Sequence, residues 1–138
     1  MSILHLLKRF QIYDGDTKLP ERPRQLFFAT SDIHGIGVFT NQEIDPWVCL
    51  GEFTGDAVMW DEFQKLYHND TRYCCIPRDK SKPVIVAKQK RNWITYVNES
   101  ARPNCKIRHG KLYTTVKLQR GAELLLYYGK HYPRNYKL

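Results

Sequence analysis

From Gln25 onward the hydrophobic positions fall into short clusters instead of long stripes. Residues 25–29, 37–40 and 48–53 are rich in aromatic and β-branched side chains and are separated by turn residues, which predicts three short strands. The period then changes. Met59, Phe63, Leu66 and Tyr67 recur at helical spacing between Gly55-Asp56 and Asn69-Asp70, and Asp61 and Glu62 stand in the first turn, where the helix dipole favours anions. One short helix fits there. Strand-like clusters resume at residues 72–76, 84–87, 106–108, 112–118 and 123–127, with His109-Gly110 and Arg120-Gly121 as turns. The pattern predicts a mostly β domain of many short strands and one short helix, and does not choose among such folds.

At 138 residues the chain fits one domain, and its 42% hydrophobic content is enough to bury a core. Gly15, Pro20 and Pro23 lie among charges in residues 1–24, which reads as an irregular flank that packs on the domain. No stretch approaches the roughly 20 apolar residues of a membrane helix. The charges of Lys8 and Arg9 follow a short apolar run at residues 3–7, the reverse of a signal peptide, so a soluble intracellular protein is expected. Cys49, Cys74, Cys75 and Cys105 contain no C-x-x-C pair and the five histidines are scattered, so neither zinc nor a disulfide framework is expected. Reduced, buried thiols are the expectation.

The formal charge of +8 favours acidic partners, and its distribution divides the chain. Residues 78–91 hold Arg78, Lys80, Lys82, Lys88, Lys90 and Arg91 against Asp79 alone, a net of +5. Residues 41–70 hold seven acids against Lys65 alone, a net of −6. An acidic surface would attract a lysine-rich peptide, and the basic segment would suit nucleic-acid phosphate or a nucleosome. Two solvated faces would produce the same pattern.

Three motifs carry more information. Gly35-Ile36-Gly37-Val38-Phe39 joins the first two strands; its glycines let backbone approach a ligand, but a plain hairpin turn needs them too. Asn92-Trp93-Ile94-Thr95-Tyr96-Val97-Asn98-Glu99-Ser100 is followed by Ala101-Arg102-Pro103-Asn104-Cys105. Asn98, Ser100 and Asn104 are side chains able to satisfy irregular backbone locally. The last, Arg120-Gly121-Ala122-Glu123-Leu124-Leu125-Leu126-Tyr127-Tyr128-Gly129, is a turn, a buried strand and a Tyr-Gly end.

In this order and at these separations the motifs resemble the SET family of protein lysine methyltransferases over roughly residues 25–132, leaving residues 133–138 as a short tail. The Asn-Trp run and the Glu-Leu-Leu run resemble its PR subgroup, whereas Pro103-Asn104-Cys105 follows the ordinary SET pattern. The resemblance implies a β-clip fold of small sheets with a C-terminal pseudoknot, an exception to the usual avoidance of threaded chains. It implies S-adenosylmethionine as cofactor, lying along Gly35, Ile36 and Gly37 and the backbone of Asn98 and Glu99, with Tyr132 over the adenine.

On the same resemblance Tyr128 is the catalytic residue, its hydroxyl beside the transferring methyl. Tyr73, Tyr96 and Leu126 are candidates for the channel of the target lysine. Leu126 stands where many members have Phe or Tyr; lacking a hydroxyl, it implies a di- or trimethyl-lysine product.

Two positions depart from the family pattern. Glu99 replaces its usual His, and Thr95 replaces an Arg or Lys that in many members meets the cofactor carboxylate; Lys90 and Arg91 are the nearby cations able to substitute. Ala101 stands where some members place a zinc-binding Cys, and residues 133–138 contain none, so no zinc-bound post-SET module and no metal are expected. The channel would then be closed by the N-terminal flank, the tail, the second subunit of a homodimer, or the substrate. The expected partner is a histone or other basic protein in nucleus or cytoplasm. The competing expectation is a catalytically weak PR-like module that binds nucleic acid or a chromatin partner through residues 78–91.

Overall fold

A computed structural model describes residues 19–127. Tyr128, Tyr132, the tail and all but residues 19–24 of the predicted flank lie outside the described residues.

Among the described residues there are ten short strands, with one α-helix between the fourth and the fifth. β1 (Leu26–Thr30) and β2 (Ile36–Thr40) form an antiparallel hairpin. Leu26, Phe27, Phe28 and Ala29 are all 5% exposed or less, so β1 shows an unbroken apolar run because other elements cover both of its faces. Phe27 stacks on Phe39, and Phe28 meets the edge of Tyr96.

β3 (Cys49–Glu52), β8 (Cys105–Arg108) and β9 (Lys111–Thr114) make a three-stranded antiparallel sheet in the order β3-β9-β8. The tight β8–β9 connection is His109-Gly110, both with positive φ, the backbone that a two-residue hairpin turn requires. Beyond Thr114 the predicted long strand breaks off, and Leu118 returns only as a bridge to Ile44.

β4 (Asp56–Val58), β5 (Cys74–Cys75) and β6 (Val84–Val86) form a second small sheet, order β4-β6-β5. Sequence reasoning missed β4 because it opens on Gly55-Asp56, which reads as a turn. Its entry needs that glycine: a Cβ at Gly55 would collide with the carbonyl of Val86. Helix α1 (Trp60–Tyr67) covers this sheet. Its packed stripe is Trp60, Phe63 and Tyr67, whereas Met59 and Leu66 of the predicted face are 48% and 56% exposed. Eight residues are too few for a helix to be stable alone, so α1 depends on Phe63, fully buried against Val84 and Val86.

At the edge of this unit Asp70 receives a two-pronged bond from Arg72 and pairs with Lys88 at 3.4 Å. The Arg72 bond holds the Asp70 carboxyl down from 3.8 to about 2. A depressed acid stabilises the fold above its unfolded value and loses that contribution as pH falls from 3.8 towards 2. The melting-temperature gap between wild type and Asp70→Asn is therefore expected to close over that acid range and stay constant above it. A gap independent of pH would contradict this.

β7 (Asn98–Glu99) and β10 (Leu125–Leu126) pair in parallel, Asn98 with Leu125 and Leu126 with Glu99. This short ladder joins the second and third sequence motifs, its paired residues lying 27 positions apart in the chain. Among the described residues the result is the mostly β domain with one short helix that the hydrophobic pattern predicts, arranged in the small sheets that the resemblance implies. The main core gathers Leu26, Phe28, Val38, Trp93, Ile94, Val97, Leu112, Leu124 and Leu126 from all three motif regions. Leu19 packs on this core, and Arg22 donates to the carbonyl of Leu26. No helix among the described residues is long and apolar enough to cross a membrane.

The thiols divide by burial, Cys49 being exposed and Cys105 buried. Desolvation pushes the Cys74 thiol up to about 11 and the Cys105 thiol up to about 12.

Candidate active site

The β1–β2 turn is built around Ser31. Its N–H donates to the carbonyl of Gly35 at 2.7 Å, and its Oγ accepts the N–H of Ile33 at 2.9 Å. Gly35 has φ +48, which favours glycine, and a Cβ there would meet nothing within 4 Å. Backbone at Gly35 is therefore open to close approach.

The Ser31 hydroxyl also donates to the Glu123 carboxylate at 2.9 Å. Asn98, 1% exposed, completes the lock: its Nδ2 donates to the carbonyl of His34 and to Glu123 Oε2, each at 2.9 Å. Three elements that are remote in sequence are thus fastened by one amide, one hydroxyl and one carboxylate. A charged acceptor makes such bonds worth more than neutral ones, about 1.5–3 kcal/mol each.

Gly37 has a different task from Gly35. A Cβ at Gly37 would overlap Glu123 Oε2, so its glycine makes room for this carboxylate. Gly37→Ala is expected to destabilise the fold by about 1–3 kcal/mol, read as a lowered midpoint in urea. Wild-type stability would contradict the packing role.

Asn92 begins a 3₁₀ turn (Trp93–Tyr96) by accepting the Ile94 N–H at 3.0 Å, and its Nδ2 donates to the carbonyl of Thr54 at 2.7 Å. The Thr95 hydroxyl donates to the carbonyl of Asn92 and accepts from Arg91 Nε, at 2.7 and 3.1 Å. Arg91 Nη2 donates to the carbonyl of Thr95 at 3.1 Å. The Arg91 guanidinium lies 3.8 Å from the centre of the Tyr96 ring and 4.0 Å from that of Tyr73. Tyr73 reaches this position from a left-handed backbone, φ +59.

Asn104 serves β10 as a substitute strand. Its Oδ1 accepts the Leu125 N–H and its Nδ2 donates to the carbonyl of Glu123, both at 2.8 Å. Ser100 N–H donates to the carbonyl of Leu126. Of the three polar residues expected to act locally, Ser100 does, through the Arg102 N–H, whereas Asn98 and Asn104 reach across the chain.

These elements enclose a cleft of about 270 Å³, lined by the turn residues His34, Gly35 and Ile36, by Thr95 and Tyr96, and by Arg91 and Asn98. Gly35, Ile36, Asn98 and Tyr96 of the sequence-predicted site therefore share one cavity. Gly37 lies behind it under Glu123, and Glu99 follows Asn98 without lining it. Tyr73 is not among the described residues that line the cleft, and its ring meets Arg91, which is. Leu126 is 3% exposed in the main core. Sequence reasoning missed Glu123 and His34. The signal for Glu123 was present: it is the single charge in the apolar run from Ala122 to Leu126.

Small sheets, a glycine turn bound to a parallel β7–β10 ladder, and a cleft between them define a SET-type fold. Residues 35–129 match the SET domain family, and the chain belongs to it. It is 33% identical over 86 residues to the histone-lysine N-methyltransferase MEDEA of Arabidopsis thaliana, a match covering 59% of this chain and 12% of that protein. Among solved structures it resembles a humanized mutant of the Chaetomium thermophilum Polycomb Repressive Complex 2 bound to the inhibitor GSK343, with a TM-score of 0.65 and 20% identity over 78% of this chain and 15% of that one. An apo form of the complex with mutations in Ezh2 gives a TM-score of 0.66. The chain thus spans under a sixth of the relatives it matches.

Proposed function

We propose that the chain is an S-adenosylmethionine-dependent protein lysine methyltransferase. The observation that carries this reading is the cleft itself: in a SET-family chain, open turn backbone at Gly35, an aromatic ring from Tyr96 and one fixed cation from Arg91 face a single cavity. These residues suit a ligand that has an aromatic base, a polar ribose and a charged amino-acid end. When bound, S-adenosylmethionine supplies an electrophilic methyl on sulfonium.

The chain's own part is to hold the cofactor at residues 34–36 and Asn98, and to align a neutral lysine nitrogen in line with the methyl while excluding water. Tyr128, two residues past Leu126, is proposed as the hydroxyl beside the reacting centre. An aromatic channel fits a lysine side chain, since ring faces favour the ammonium while giving it an apolar wall. Tyr132 is proposed over the adenine, and Glu99 as a backbone contact. Tyr73 and Tyr96, proposed for the channel from sequence, here flank Arg91, so their part is better assigned to the cofactor side.

The proposed substrate is a histone or other basic protein, inside the cell. The acids of residues 41–70 support that, since Glu52, Asp56, Asp61 and Glu62 are exposed. Of the six cations of residues 78–91, Lys88 is bonded within the fold and Arg91 faces the cleft, so the competing nucleic-acid reading rests on the exposed Arg78, Lys80, Lys82 and Lys90.

Leu126 adds no hydroxyl that could hold a partly methylated amine, so the product is expected to pass beyond monomethyl-lysine. Mass spectrometry finding only monomethylation at saturating cofactor would contradict this. The assignment as a whole is tested by calorimetry with S-adenosylmethionine beside a salt series with duplex DNA. Saturable cofactor binding supports it; salt-sensitive DNA binding without cofactor binding would overturn it in favour of a binding module.

A further inference from the structure

Arg91 is the one permanently charged side chain among the described residues lining the cleft. Its planar group is held by three neighbours: the Tyr73 and Tyr96 rings, whose centres lie 4.0 and 3.8 Å away, and Thr95 along the edge formed by Nε and Nη2. Such a clamp removes most of the rotamer freedom an arginine ordinarily surrenders on binding, so a ligand meets a pre-oriented fork. Both bonds to Thr95 fall on one edge, which leaves the edge bearing Nη1 to other groups. Lys90, the alternative cation, is exposed and does not line the cleft.

Thr95 is part of this device. Its hydroxyl gives its proton to the carbonyl of Asn92 and so presents a lone pair to Arg91 Nε. A longer cationic side chain at position 95 would lose that acceptor and compete with Arg91 for the same space and charge.

We infer that Arg91, held by Tyr73, Tyr96 and Thr95, binds the carboxylate of the cofactor's amino-acid end, with Thr95 as its positioning residue. This rests on the cofactor reading above. A bidentate guanidinium–carboxylate contact in a partly desolvated cleft is worth about 10- to 100-fold in affinity.

The test is calorimetry with two ligands that differ only in this group, S-adenosylmethionine and its decarboxylated form. Wild type is expected to bind the first at least about 10-fold more tightly. Arg91→Gln is expected to lower affinity for S-adenosylmethionine by about that factor and to leave the decarboxylated ligand within about 2-fold, erasing the discrimination. Thr95→Val, which keeps the charge and nearly the volume, is expected to lose about 3-fold on S-adenosylmethionine alone.

If wild type discriminates and Arg91→Gln discriminates equally, the assignment of Arg91 is overturned while the cofactor reading stands. Equal loss for both ligands in Arg91→Gln, with Thr95→Val like wild type, would show a structural arginine and overturn it too. Failure of wild type to bind either ligand would overturn the cofactor reading, and this inference with it.

Discussion

Asn98→Ala is expected to cost about 3 kcal/mol of stability and to abolish measurable cofactor binding. The side chain is 1% exposed and both Nδ2 bonds are lost at once. Losing one part-buried bond to a charged acceptor and one to the His34 carbonyl forfeits about 1.5–3 and about 0.5–1.5 kcal/mol. For a domain of this size the melting temperature should fall by about 10 °C. Below that melting point the variant stays folded, yet the turn at residues 31–35 is no longer fastened to β7, so the cleft loses one wall. Asn98→Asp is expected to do no better, despite its identical shape. It sets a second carboxylate against Glu123, and only protonation of one of the two, as pH falls, relieves the repulsion. Thermal unfolding and calorimetry on both variants check this; wild-type stability in Asn98→Ala would remove Asn98 from the centre of the site.

Tyr128→Phe is expected to act in the opposite way, leaving structure and binding intact while removing turnover. If the hydroxyl acts only on the reacting centre, kcat falls by at least about 100-fold with KM within about 2-fold, the signature of an interaction realised in the transition state. A parallel fall in melting temperature and cofactor affinity would instead make Tyr128 a packing residue. The contrast with Asn98 separates the group proposed to do chemistry from the one that assembles the site.

How much of this was legible in the chain depended on whether the signal was local. The His109-Gly110 turn, the β1–β2 hairpin and α1 each follow from neighbouring residues, and sequence placed them within a residue or two. The stripe of α1 was misjudged because its packing surface is a sheet whose first strand begins on a polar Asp56, so Trp60 faces inward and Met59 outward. Gly35 and Gly37 looked alike in sequence; their different tasks appear only with Glu123, 86 residues further on, beside Gly37. The same holds for Thr95, which in sequence is only a missing cation. Lys90 and Arg91 are the nearby cations able to replace it, but nothing local reveals that Tyr73 and Tyr96 hold Arg91.

The family resemblance supplied what spacing could not, namely that Asn98 and the Leu125–Leu126 strand belong together. A parallel pair of two-residue strands has no periodic signature at all.

The central claim is methyl transfer to lysine, and mass spectrometry of a basic protein such as a histone, incubated with this chain and S-adenosylmethionine, tests it most directly. The expected result is cofactor-dependent addition of whole methyl groups to lysine, reaching di- or trimethyl-lysine, and absent with Tyr128→Phe. A folded preparation that binds the cofactor but methylates no lysine in histones or in a cell extract would contradict it.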